Sequence, residues 1–177
     1  MPLHNDLDIH AHSGPLRPNA ILCVDPTETP ELPDGEGLMS VGVHPWNAGR
    51  VNEETMAKLA VWLKDERVVA VGEVGLDRLK GPEMDLQQDV FRKQILLASQ
   101  MAKPLIIHCV RAFDLLLKAK KEMPAEGTQW ILHGFRGNPI LANQLLSAGI
   151  DLSFGEKYNA ESFAATPAHR RYRETDR

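Results

Sequence analysis

The sequence predicts an α/β fold, a TIM-like (β/α)8 barrel in which the first one or two outer helices are reduced and no helix follows strand 8. Three observations carry this expectation. Eight short apolar runs, rich in β-branched residues and bounded by turn residues, have the length and composition of strands. Several are apolar almost throughout, as parallel strands covered on the outside must be. From the middle of the chain onward they alternate with amphipathic segments of helical period, the pattern that right-handed parallel crossovers produce.

The strands are expected at 7–11 (LDIHA), 20–25 (AILCVD), 39–44 (MSVGVH), 68–74 (VVAVGEV), 104–109 (PLIIHC), 129–134 (QWILHG), 150–156 (IDLSFGE) and 171–175 (RYRET). Around the first, L-D-I-H-A-H alternates strictly, and the period of 2 places Asp8, His10 and His12 on one face with Leu7, Ile9 and Ala11 on the other. The linker S-G-P-L-R-P after strand 1 is too short and too rich in Pro and Gly for a crossover helix. D-P-T-E-T-P-E-L-P-D-G-E-G after strand 2 is equally unpromising. Helices are expected at 53–66, where Met56, Leu59, Ala60 and Leu63 recur at helical spacing behind Asn52 as cap, and at 84–102, through Leu86, Val90, Leu97 and Met101. A third spans 112–122 and stops before Pro124. The fourth, 139–148, opens on Asn138 as cap with Pro139 at its first position and closes at Gly149.

A chain of 177 residues fits one domain, residues 1–177, large enough to bury a substantial core. With 25% charged and 43% hydrophobic residues it has the composition of a soluble globular protein. The formal charge of -4 excludes a globally basic nucleic-acid binder but leaves room for a local basic groove. Cys23 and Cys109 sit inside apolar runs and are expected to be free, reduced thiols of a cytoplasmic protein. No apolar run approaches the ~18 residues that cross a bilayer, and M-P-L-H-N-D lacks the layout of a signal peptide, so no membrane partner is expected.

Active sites of parallel barrels lie at the carboxyl ends of the strands. His10 and His12 end strand 1, Glu73 strand 4, His108 strand 5 and His133 strand 6, while Asp176 closes strand 8. Singly, a strand-end histidine is more often a packed residue than a ligand. Jointly, four imidazoles and two carboxylates at one barrel end point to metal, and exceed what one tetrahedral ion needs. A pair of divalent cations uses such a set, with a carboxylate bridging them.

The order D-I-H-A-H, G-V-H-P at 42–45, G-E-V-G-L-D at 72–77, H-C-V-R-A at 108–112, H-G-F-R-G at 133–137, S-F-G at 153–155 and E-T-D at 174–176 resembles the TatD family of metal-dependent hydrolases, within the amidohydrolase superfamily. The resemblance implies a phosphodiesterase acting on DNA through two divalent ions, Zn²⁺, Mn²⁺ or Mg²⁺. By that likeness His10 and His12 hold one ion, His108 and His133 the other, and Glu73 bridges them. Asp176 completes the first site and orients or deprotonates the attacking water. Two alternatives remain open: hydrolysis of a carbonyl substrate such as aminoacyl-tRNA, and a shortened, inactive barrel that only binds metal.

Among further residues, His44 and Trp46 are expected to contact substrate, Trp46 by stacking, and Arg111 to clamp a phosphate. Arg136 reads as a solvated loop arginine, Asp8 as a residue that orients one of the histidines, and Asp77 as a maker of loop hydrogen bonds. His4 and His169 read as surface residues. Chains resembling this family usually continue past E-T-D, whereas this one ends at Arg177. Asp176 is therefore expected to be the least ordered of the six ligands.

Overall fold

The computed structural model describes residues 2–123 and 126–177. Eight parallel strands close on themselves in sequence order, β1-β2-β3-β4-β5-β6-β7-β8. They are β1 Asp8–Ala11, β2 Ala20–Val24, β3 Leu38–Val41, β4 Val68–Asp77, β5 Leu105–Val110, β6 Trp130–Leu132, β7 Ile150–Phe154 and β8 Arg171–Arg173. Most are shorter than the sequence suggests. β3 stops at Val41 rather than running to 44, because Pro45 and the backbone around it form a 3-10 turn, Pro45–Arg50. β4 runs three residues past its expected end, to Asp77.

The helices are α1 Glu53–Trp62, α2 Met84–Gln100, α3 Phe113–Glu122, α4 Pro139–Ser147 and a short α5 Ala160–Ala165 that the sequence did not suggest. Asn52 caps α1 in a reciprocal box with Thr55, and Asn138 caps α4 through the amide of Leu141. Pro124, expected to stop α3, lies outside the described residues. No helix separates β1 from β2 or β2 from β3, as expected. Among the described residues no helix is long and apolar enough to cross a membrane.

Two apolar layers follow from strand parity. Ile9, Ile21, Ala70, Ile106, Ile131 and Tyr172 cluster with one another and with no helical residue, so they fill the lumen. Val71, Val74, Leu105, Ile107, Leu132 and Leu152 pack instead with the helices outside. Two residues beyond Ile106 and Ile131, the same parity carries His108 and His133 inward at the top of the barrel.

In two strands the parity breaks. Against β5, Gly72 pairs with Ile106 but Val74 with Ile107, so β4 carries one extra residue, Glu73. A regular strand with Ala70 inside would point Glu73 out; the slip turns it in. Against β2, Asp8 pairs with Ala20 and Ala11 with Leu22, so β1 holds an extra residue too. Ile9 and His10 consequently both face the lumen, and Asp8 does not share the histidines' face. Its carboxylate instead accepts from the backbone of Thr175 at 3.0 Å, the Thr175 hydroxyl at 2.7 Å and the amide of His10 at 3.4 Å.

These bonds belong to a seam. β1 and β8 pair directly only at Asp8 and Arg173. Beyond that, the amide of Asp176 donates to the His10 carbonyl at 3.0 Å, and His12 and Ser13 donate to the carbonyl of Arg177 at 2.7 and 2.8 Å. Asp8→Ala removes one side of this clasp. It is expected to lower unfolding free energy by about 1–2 kcal/mol in urea titration and to weaken cation binding as well. Unchanged values of both would show that the seam holds without Asp8.

Candidate metal centre

The site starts from Glu73. Glycines flank it closely: a Cβ on Gly72 would lie 2.7 Å from the Ile106 Cβ, and one on Gly75, whose φ is +144°, 1.9 Å from the His108 carbonyl oxygen. Only glycine lets β4 press this near to β5 and bring Glu73 under His108. The carboxylate is 3% exposed, and its two oxygens face different partners.

Glu73 Oε2 lies 3.1 Å from His10 Nε2 and 3.4 Å from His12 Nε2, and those two nitrogens are 3.1 Å apart. Asp176 Oδ1 stands 3.6 and 3.3 Å from the same nitrogens. The His10, His12 and Glu73 atoms thus stand 3.1–3.4 Å apart, close to the ~3.3 Å edge of a tetrahedron of bonds ~2.0–2.1 Å long, with Asp176 Oδ1 beside both imidazoles. Glu73 Oε2 is buried and has no hydrogen-bond partner, so a cation there would satisfy an acceptor that is otherwise unmet. The donor set fits a divalent ion.

Glu73 Oε1 lies 2.7 Å from His133 Nε2, 2.9 Å from His108 Nδ1 and 3.3 Å from His44 Nε2. The outer nitrogens of these rings sort their roles. His108 Nε2 bonds Asp77 Oδ2 at 2.9 Å and His133 Nδ1 bonds Glu174 Oε1 at 3.2 Å, so in the neutral rings the inner nitrogens of both keep a lone pair for metal. His44 differs. Its Nδ1 accepts from the amide of Trp46 at 3.1 Å, which leaves the hydrogen on Nε2. His44 therefore presents a donor to the cavity, not a lone pair.

Charges are set by this packing. Burial acts to raise the Glu73 carboxyl, but the charge of His133 and the nearness of His10, His108 and His133 outweigh it and hold the group well below the usual carboxylate range. Burial likewise disfavours a charged His133, yet Glu73 and Glu174 win and push it well above an ordinary imidazole. The bond to Asp176 raises His12 against its burial, and the same bond lowers Asp176. Burial and the neighbouring His133 lower His10.

The cavity above Glu73, about 360 Å³, is lined by His12, His44, Trp46, His108, His133 and Asp176, with Cys23 and Asp25 among the others. Asp176 sits in it half-exposed at 40%, and among the six expected ligands only His12, at 47%, is more open. The Cys23 thiol accepts from the Glu73 amide at 3.2 Å, and burial pushes it far above the ordinary thiol range. Cys109 is also free, pushed by burial to about 12. Arg111 is not among the lining residues; it is exposed, and its carbonyl accepts from Arg78.

Three supporting acids carry more than their sequence context suggests. Asp77 makes the expected loop bonds, to the amides of Leu79 and Lys80 at 2.8 and 3.1 Å, and also holds both His108 and the indole of Trp46, the latter at 2.8 Å. Glu174, the first acid of E-T-D, is buried against His133 and the Ser153 hydroxyl. Asp25 takes the amide of His44 at 2.9 Å and the side chain of Asn47 at 3.0 Å, fixing the turn that carries His44 and Trp46. Strand parity signals Glu174, two residues before Asp176. Nothing local signals Asp25.

A closed parallel barrel whose carboxyl end gathers imidazoles around a bridging carboxylate defines a candidate metal centre on a (β/α)8-type scaffold. Residues 30–177 match the family described as TatD related DNase, and the chain belongs to that family. It is 38% identical over 122 residues to "Uncharacterized metal-dependent hydrolase YabD" of Bacillus subtilis (strain 168), covering 66% of this chain and 46% of that protein. To "3'-5' ssDNA/RNA exonuclease TatD" of Edwardsiella piscicida it is 35% identical over 112 residues, 63% of this chain and 43% of the relative. The chain thus spans about half the length of the curated relatives it matches. The crystal structure of YJJV, a TatD homolog from Escherichia coli k12, shares the fold at a TM-score of 0.75 and 23% identity over 89% of this chain and 66% of that one. A TatD family hydrolase from Entamoeba histolytica gives 0.73 at 22% over 89% and 60%.

Two outcomes follow from this geometry. Asp77→Asn should weaken divalent-cation binding about 10- to 100-fold, measured by calorimetric titration, and unaltered affinity would remove Asp77 from the support of His108. In the metal-free protein His133 and His12 hold protons above the ordinary imidazole range, whereas ligation needs them neutral. Cation affinity should therefore fall as pH drops through and below those raised values, and binding near neutrality should release protons. Calorimetry in buffers of different ionisation enthalpy reads that release, and none would contradict the assignment.

Proposed function

We propose that the chain is a divalent-metal-dependent hydrolase that cleaves phosphodiester bonds in DNA, with His10, His12 and Asp176 holding one cation and His108 and His133 the other. The observation that carries this reading is the Glu73 carboxylate, whose Oε2 faces the first set and Oε1 the second. Bound as a pair, divalent ions supply water acidified to near neutrality and charge neutralisation on phosphoryl oxygens. Four imidazoles favour Zn²⁺ or Mn²⁺ over Mg²⁺.

The chain's own groups then divide the work. Asp176 is half-exposed, held deprotonated by His12, and stands at the cavity wall, so it is placed to orient the attacking water and accept its proton. The His44 Nε2–H lies in the cavity wall 3.3 Å from Glu73 Oε1, and suits a non-bridging phosphoryl oxygen of a substrate bound beside it. Trp46, 46% exposed and pinned through its indole to Asp77, carries the Lys80 ammonium 4.3 Å over its ring, and a base at the rim would stack on the face that ammonium leaves. Arg111 stands outside this cavity, and a phosphate clamp by it requires a substrate that reaches across the rim. The names of relatives that act on ssDNA or RNA support a nucleic-acid substrate.

The test is release of nucleotides from single-stranded DNA, double-stranded DNA and RNA in Mg²⁺, Mn²⁺ or Zn²⁺. Activity should appear with one or more metals, vanish with a chelator, and drop at least about a hundredfold in Glu73→Ala. No release with any metal would overturn the reading, as would full turnover by Glu73→Ala.

A further inference from the structure

Asp176 lines two spaces. One is the metal cavity. The other is a narrower groove of about 220 Å³ between the loops that follow β6, β7 and β8, whose walls include Arg136, Lys157, Arg177 and Glu156. All four of those side chains lie on the surface. Glu156 approaches Arg177 only at 3.8 Å, in a fully solvated pair that offsets little of the charge. The other acids of this groove are already committed, Glu174 to His133 and Ser153, Asp176 to His12. No ion pair engages Arg136 or Lys157 among the described residues. Arg136 and Lys157 therefore stand exposed and unpaired beside Asp176, in a groove whose three bases and three acids balance formally.

The metal cavity differs. Among the described residues no lysine or arginine lines it, Lys80 standing over the Trp46 ring at the rim, and its far wall carries Asp25 and Glu28, joined through Asn47. A polyanion held at the metal centre meets carboxylates on that wall and cations on the other.

We propose that the groove between the β6, β7 and β8 loops is the track along which a polynucleotide backbone leaves the metal centre, with Arg136 and Lys157 contacting phosphates next to the scissile one. This rests on the phosphodiesterase reading and adds to it a direction and two residues that select a chain over a small diester. The strand departs over β6–β8, away from Asp25 and Glu28, and the preferred substrate is a nucleic-acid chain, because a small diester that fills only the metal cavity reaches neither cation. Arg136 and Lys157 are then specificity determinants.

The experiment compares a single-stranded oligonucleotide with bis(p-nitrophenyl) phosphate, in the metal that gives the highest activity, for the parent protein and for Arg136→Glu, Lys157→Glu and the double variant. Both positions are exposed, and circular dichroism confirms folding. The ratio of kcat/KM on the oligonucleotide to that on the small diester should fall at least tenfold in the double variant, chiefly through KM. Its oligonucleotide affinity should depend less steeply on salt, by about 0.7 in the log–log slope for each phosphate that is no longer neutralised. An unchanged ratio, or a parallel loss on both substrates with the salt slope intact, overturns the track while leaving the phosphodiesterase reading standing. Failure of the parent protein to cleave either diester with any metal overturns that reading, and the track with it.

Discussion

A carboxylate buried among imidazoles is costly to place, because removing a charge from water is offset only by partners held close on every side. Glu73 has such partners: His10 and His12 by one oxygen, His108, His133 and His44 by the other. Each of those residues comes from β1, the turn after β3, β5 or the end of β6, so no pair of adjacent strands can assemble the group. Closure of the barrel is what brings them into register. The acids behind the ring extend the same logic, since Asp77 and Glu174 fix His108 and His133 in the orientation that leaves their inner nitrogens toward Glu73.

What makes this arrangement possible is irregularity in the strands. A barrel built on strict alternation would send Glu73 into the helical layer with Val71 and would leave His10 outside the lumen that Ile9 occupies. The extra residue at Glu73 in β4, one of two in that strand, and the one in β1 reverse both, at the two positions whose side chains meet at 3.1 Å. Bulges that re-aim a side chain are a recurrent device next to active sites. Gly72 and Gly75 allow it in β4, where any larger residue would collide with β5.

The barrel and its strand ends were legible in the sequence because both follow from simple periods: apolar runs of strand length, amphipathic helices between them, and metal-capable residues where the strands stop. His10, His12, Glu73, His108, His133 and Asp176 do converge. The slips were not legible, since a register is a relation between two strands and leaves no mark in either one. For that reason Asp8 was expected to face the histidines and instead grips Thr175. Glu174 and Asp77 are buried polar partners whose worth depends on what lies across the barrel, and Asp25 supports a turn distant in sequence. α5, only six residues long and capped by Asn159, is too short for a period to show.

The seam between β8 and β1 joins fold and site most directly. Its direct pairing is a single register position; Asn5 adds a bond to the Arg171 carbonyl and Tyr172 one to the Leu3 carbonyl, and residues 174–177 supply the rest at the site end: Thr175 held by Asp8, the amide of Asp176 by the His10 carbonyl, the Arg177 carbonyl by His12 and Ser13. The same residues deliver Glu174 to His133 and Asp176 to His10 and His12. The clasp thus holds the segment that carries Asp176, so opening the seam would also draw Asp176 away from His10 and His12 in the candidate site. A cation bound by His10, His12 and Asp176 would bridge β1 and the segment after β8, and its binding energy would add to the closure. The strength of the last barrel seam and cation affinity at the candidate site are thereby thermodynamically linked, each adding to the other.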